Sequence, residues 1–236
     1  MKKTLLTLCS YLFAVAIFAQ VSANDKQVLL DLYVATQGEN WISTWDTNEP
    51  VEHWKGVTVE KDQIVGISLL FNNMEGELPA SLGTLTELRI LELSFNRISG
   101  TLPESLGNLE NLEVLAFNGN NLSGSIPASF AQLNQLKQLH LSSNKLSGDI
   151  PSSIGDLAHI EIFNVFDNEL EGEIPTGLAH HRHLRELMVA ENNLTATADF
   201  STVLLFNSGA RMDLNRPILS PGAKTVIAIE TSDDKN

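Results

Sequence analysis

Along most of the chain, apolar positions recur neither every second residue nor at helical spacing but in a long, fixed pattern. Residues 91–103 read LELSFNRISGTLP and residues 139–151 read LHLSSNKLSGDIP, sharing Leu, Leu, Ser, Asn, Ser, Gly and Pro at the same offsets. Three apolar columns run at a period of 24: Leu88, Leu112, Leu136, Ile160 and Leu184; Leu91, Leu115, Leu139, Phe163 and Leu187; Leu93, Phe117, Leu141, Val165 and Val189. A fixed period in this range is the signature of a solenoid, in which a coil too small to bury its own apolar side stacks on its neighbours to form one continuous core. Each coil is expected to contribute a short strand, over 89–94 in the second coil. About six such strands would stack in parallel at roughly 4.8 Å, giving a concave sheet about 30 Å long.

The remaining constant letters have separate physical roles. Asn72, Asn96, Asn120, Asn144, Asn168 and Asn192 form a column whose amides are expected to turn inward and satisfy backbone groups between coils, a structural ladder rather than a binding one. Gly76, Gly100, Gly124, Gly148 and Gly172 supply a conformation that a β-carbon disfavours, and Pro79, Pro103, Pro127, Pro151 and Pro175 fix the start of the next turn.

These columns fit L-x-x-L-x-L-x-x-N-x-L followed by x-G-x-I/L-P, and over about residues 64–198 the chain resembles leucine-rich repeat proteins. The LxGxIPxxLGxL half looks like the plant-type subclass found in receptor ectodomains and polygalacturonase-inhibiting proteins. The resemblance implies an α/β solenoid: a right-handed leucine-rich repeat arc with a parallel concave β-sheet, an N-terminal helical cap and an irregular C-terminal cap. It also implies recognition of a protein, peptide or glycan, through surfaces that differ between members.

The two ends depart from the period. Val28, Leu29, Leu32 and Tyr33 fall on one helical face within 25–37, and Gly38 is placed to stop that helix. Trp41, Trp45 and Trp54 are expected to cover the open end of the core within a capping region over 24–63. EHWKGVT, from Glu52, resembles the turn into the first repeat of the plant-type family, without that family's cysteines. At the other end Ala196 and Asp199 replace the Gly and Pro columns, so about six repeats end near 198. A cap over 199–230 and a solvated tail over 231–236 follow.

Composition alters this picture in three ways. Lys2, Lys3, an apolar run to Ala19 and the small-residue site Val21-Ser22-Ala23 read as a cleaved export signal over 1–23, so the protein is expected to be secreted, periplasmic or at the cell surface. The single cysteine, Cys9, lies in that leader, which leaves the mature chain without disulfide or thiol chemistry. Without Lys2 and Lys3 there are 13 basic residues against 29 acidic ones, a formal charge of −16, which repels nucleic acid and anionic membrane. A monomer without a membrane span after cleavage is expected.

Candidate chemistry is sparse. The chain carries no phosphate loop, no H-E-x-x-H and no G-x-S-x-G, so no catalytic residue, cofactor or metal is expected. The variable letters on the concave side include Ser68, Glu92, Ala116, His140, Asn164 and Met188 in one column, and Phe71, Phe95, Gly119, Ser143, Asp167 and Glu191 in another. Glu92, Phe95, His140, Asn164, Phe166, Asp167, Met188 and Glu191 are the expected ligand-contact surface. His181 stands where Leu85, Leu109, Leu133 and Leu157 occupy its column, within a cluster from His180 to His183 beside Arg182 and Arg185 that could contact an anion or a partner. Inhibition of a secreted carbohydrate-degrading enzyme, and a structural or surface-coating role including ice binding, are the alternatives to an adhesive binding module.

Overall fold

The computed structural model describes residues 20–179 and 181–195. Residues 1–19 of the expected leader over 1–23, residues 196–198 of the expected repeats, the C-terminal cap and the tail lie outside the described residues.

The chain opens with helix α1 (Ala23–Ala35), whose Val28, Leu29 and Leu32 are buried. Ser22 caps it: its hydroxyl oxygen accepts from the Asp25 N–H at 3.0 Å, satisfying a donor that the helix itself cannot. The helix stops at Thr36, and Gln37 takes the left-handed conformation before a short turn at Gly38–Asn40. Tyr33, Trp41, Trp45 and Trp54 then pack in series, the first two contacts edge to face and the last stacked, with centroids 5.3, 4.9 and 4.7 Å apart, and the three indoles are buried. Each indole N–H donates to a carbonyl, of Thr36, Lys55 and Glu49 respectively. These tryptophans therefore close the core.

The antiparallel pair β1 (Val57–Glu60) and β2 (Gln63–Ser68) leads from the cap into the coils. The coils contribute β3 (Glu75–Glu77), β4 (Ile90–Glu92), β5 (Arg97–Thr101), β6 (Val114–Ala116), β7 (Asn121–Gly124), β8 (Gln138–His140), β9 (Lys145–Asp149), β10 (Ile162–Asn164), β11 (Glu169–Glu173), β12 (Glu186–Met188) and β13 (Asn193–Thr195). One sheet runs β1-β2-β4-β6-β8-β10-β12, and from β2 onward its pairs are parallel and in register at the repeat, Leu91 opposite Leu115 opposite Leu139. Strand β4 is shorter than its expected 89–94. Leu93 and Phe95 still donate to Ala116 and Asn118 of the next coil, but at Phe95 the backbone turns into positive φ and leaves the strand.

A second sheet, β13-β11-β9-β7-β5-β3, lies on the other side of the coil. The Gly column sits inside these strands, from Gly76 to Gly172, all at positive φ. Each Pro then precedes a single 3-10 turn, as at Ala80–Thr84 and Glu104–Asn108, except in the fifth coil, where α2 (Thr176–Ala179) takes that place. Between the two sheets lies one apolar core from Val21 to Val189.

The asparagines hold coil to coil. Asn120 Oδ1 accepts from Ile98 N–H in the preceding coil, and its Nδ2 donates to the carbonyls of Leu93 in that coil and Phe117 in its own. Asn96, Asn144, Asn168 and Asn192 repeat the arrangement. Asn72, at the cap, differs: Oδ1 accepts from Ser43 N–H, but the buried Nδ2 meets no partner among the described residues.

Two outcomes are expected in chemical denaturation. Asn120→Ala leaves a buried N–H and carbonyls without partners and should lose about 3 kcal/mol, against about 1 kcal/mol for Asn72→Ala. A chain starting at Asn24 loses the Ser22 cap, about 1 kcal/mol, and the buried Val21, about 1.5 kcal/mol, relative to one starting at Gln20. Equal losses for the two asparagines, or equal stability of the two chains, would contradict the respective assignment.

Candidate functional site

Because core positions alternate inward along each strand, the letters between them face out on the concave sheet. Glu92, His140, Asn164 and Met188 occupy one column at its centre, with Ser68 before them and the small, buried Ala116 between. Ser68 donates its hydroxyl to Glu92 at 2.9 Å. His140 Nε2 lies 3.2 Å from Gln138 Oε1, and Asn164 Oδ1 accepts from the Phe166 N–H at 3.1 Å, which fixes that loop. Burial pushes the His140 imidazole below its ordinary pKa, while the carboxylates of Glu186 and Glu92 pull it back upward. His140 thus presents a neutral ring between acids.

Phe95, Phe166, Asp167 and Met188 are exposed and Glu191 is half-buried, so the eight expected contact residues share one continuous face. Phe71 belongs with them, because its ring stacks on Phe95 at 4.5 Å with planes 6° apart.

Along the N-terminal edge of the same sheet runs a feature absent from the sequence-based reading. Arg89, Glu113, Lys137, Glu161 and Arg185 stand one coil apart with alternating sign. Lys137 pairs with Glu113 at 2.7 Å, Arg185 with Glu161 at 3.9 Å, and Arg89 reaches back to Glu60 at 3.0 Å. The hydrogen bond and charge of Glu113, with Glu161 beyond, hold the Lys137 ammonium above its ordinary pKa. Sign alternation every 24 residues was the available signal. Like charges in adjacent coils would repel, so the ladder favours this register and neutralises these cations.

The histidine cluster joins two successive coils, those of Leu157 and His181. The half-buried His181 donates from Nε2 to the Leu157 carbonyl at 2.5 Å, and its Nδ1 accepts from the His183 N–H at 3.3 Å. His183 stacks loosely near His159, centroids 6.5 Å apart. Only the neutral ring satisfies both contacts, since a second proton would set N–H against N–H. Burial lowers the His181 pKa, the Leu157 bond opposes this, and His183 and His159 lower it further. Among the described residues no three His, Cys, Asp or Glu side chains are grouped to hold a metal ion, and His180 lies outside them.

The profile of the leucine-rich repeat region matches residues 71–204. Among solved structures, the leucine-rich repeat ectodomain of the receptor kinase SOBIR1 from Arabidopsis thaliana is 25% identical, covering 77% of this chain and 100% of that one, with a TM-score of 0.68. The plant peptide hormone receptor RGFR1, in complex with RGF2, is 35% identical over 52% of this chain and 20% of that one, with a TM-score of 0.51. A plant ice-binding protein is 28% identical over 74% of this chain and 58% of that one, with a TM-score of 0.68. The chain thus spans a whole ectodomain of one relative and a minor part of another.

A folded pKa below the unfolded one means that His181 contributes stability above about pH 6.5, and that this is lost as pH falls through the lower folded value. The melting temperature should therefore fall as pH drops below about 6.5, and His181→Leu, which restores the column, should flatten that fall. Parallel curves for the two proteins would contradict the assignment.

Proposed function

The chain belongs to the leucine-rich repeat family, and from that premise we propose that it is an exported, non-catalytic binding module. Its concave face recognises a protein, peptide or surface glycan by complementarity to a preformed surface. The observation that carries this reading is the division of labour between columns. Core columns keep one kind of residue through every coil, whereas the outward columns change chemistry coil by coil, from Glu92 to His140 to Asn164 to Met188, on a backbone that does not change. A rigid surface loses little conformational entropy on binding, which favours affinity from modest contacts. Relatives described as receptors, one of them a peptide hormone receptor in complex with RGF2, support the same class of function.

No helix among the described residues is long and apolar enough to cross a membrane. Export is supported by the leader and by the extracellular relatives' fold, and inhibition of a carbohydrate-degrading enzyme is a special case of protein recognition by the same face.

Resemblance to the plant ice-binding protein favours a second reading, a surface that orders water. The exposed column on the opposite side, Glu77, Thr101, Ser125, Asp149 and Glu173, mixes three carboxylates with two hydroxyls, and a regular ladder of like groups is what such a surface requires. Binding of a shaped partner is therefore preferred.

The combined variant His140→Ala, Asn164→Ala and Phe166→Ala should abolish capture of a partner from secreted and cell-surface extracts, while shifting the melting temperature little, because all three side chains lie on the face rather than in the core. Capture equal to that of the wild type would contradict a concave-face site.

A further inference from the structure

The outward column at the C-terminal ends of the concave strands has a backbone requirement. Phe71, Phe95, Gly119, Ser143, Asp167 and Glu191 all have positive φ, between 51° and 63°. Glycine accepts this region without cost and Asp tolerates it, whereas a bulky aromatic residue there is strained. Two of the six coils nevertheless place phenylalanine in it, and the rings do not recover the cost by burial: Phe71 is 63% and Phe95 47% exposed. They stack on each other, and Gly119 makes room for them, because a β-carbon there would lie 2.8 Å from Phe95 Cδ1. The exposed Leu70 adjoins Phe71 in the chain, and the exposed Ile42 is anchored beside it by its N–H to the Asn72 carbonyl at 3.1 Å. Strain retained at an exposed aromatic shelf is a signature of function rather than of folding.

The charges around the shelf select its occupant. On this face Arg89, Lys137 and Arg185 are each paired with a carboxylate. Glu92, Asp167 and Glu186 have no cationic partner among the described residues, and the whole chain carries a net charge of −14. Polyanionic glycans are repelled from such a surface, while a cationic chain is drawn to it. Asp167 lies three coils from Phe95 in the same column, about 14 Å at roughly 4.8 Å per coil, a span that an extended peptide covers in about four residues at roughly 3.4 Å each.

We propose that Phe71 and Phe95 form an anchoring shelf for a cationic peptide segment, with an aromatic side chain of the ligand against the two rings and a Lys or Arg four residues away on Asp167. The segment lies across the strand ends rather than inside a pocket. This deepens the binding-module reading and rests on it.

The test uses the exported chain and a set of blocked Gly/Ser peptides that carry one Trp and one Arg separated by one to six positions, titrated by calorimetry at low and at physiological salt. The peptide with Arg four residues from Trp should bind tightest and weaken with salt, and its Arg→Glu form should not bind. Phe71→Asn combined with Phe95→Gly should reduce affinity at least tenfold without lowering the melting temperature, because both replacements relax the left-handed backbone. Asp167→Asn should reduce affinity and remove most of the spacing preference. Undiminished binding by the double Phe variant, equal binding of the Glu peptide, a neutral oligosaccharide binding at the shelf instead, or a melting temperature lowered by more than about 4 °C would each overturn the proposal. Partner capture from extracts that persists in the double Phe variant would also overturn it, while leaving the binding-module reading intact.

Discussion

The coils of this protein are held together by a buried amide that no single coil can satisfy. A 24-residue coil closes its outline with two short strands and a 3-10 turn, and at the inner bend it leaves N–H and C=O groups without a partner in its own chain segment. Asn120 answers for both coils at once, accepting from Ile98 and donating to Leu93 and Phe117, and its equivalents do the same from Asn96 to Asn192. Burying those groups unpaired would offset much of what the Leu, Ile, Val and Phe columns contribute, so the Asn and the apolar columns stand or fall together. The pattern repeats because the same deficit recurs in every coil.

Once coils are locked in this way, the outward letters are released from packing the core. That freedom is used unevenly. At the N-terminal edge of the concave sheet it is spent on register, through the alternating Arg89, Glu113, Lys137, Glu161 and Arg185. Along the centre it gives a mixed polar face around the neutral His140, and at the C-terminal edge it tolerates strained, exposed aromatics. The N-terminal end of the array is special because it must finish a core that has no preceding coil. Packed tryptophans do this, and farther along the array a leucine position is given to His181, whose ring bonds the Leu157 carbonyl.

The repeat architecture was legible in the sequence because every column answers a local requirement that few residue types meet: Asn for its two-sided amide, Gly for positive φ, Leu for the core. The second sheet was not, since strands such as Glu75–Glu77 and Lys145–Asp149 show little apolar alternation and their glycines read as turns. The membership of the concave columns was legible as well, but exposure within them was not. Ala116 is buried by larger neighbours while Phe95 stands out, a result of side-chain volumes in adjacent coils rather than of pattern. Phe71 was passed over for a related reason, because nothing in a phenylalanine announces a left-handed backbone. The cap's tryptophans, by contrast, were placed correctly by the simple need to cover an open end.

Native-state amide hydrogen exchange at Ile98, Leu122, Leu146 and Leu170 reads the asparagine ladder itself, since each of these N–H groups donates to an asparagine of the following coil. If the asparagine ladder locks the coils into one unit, all four should exchange only through global unfolding and share one free energy of opening. Fast exchange at these four amides, with the neighbouring strand amides still protected, would show that the coils are held by apolar packing alone and would contradict the account.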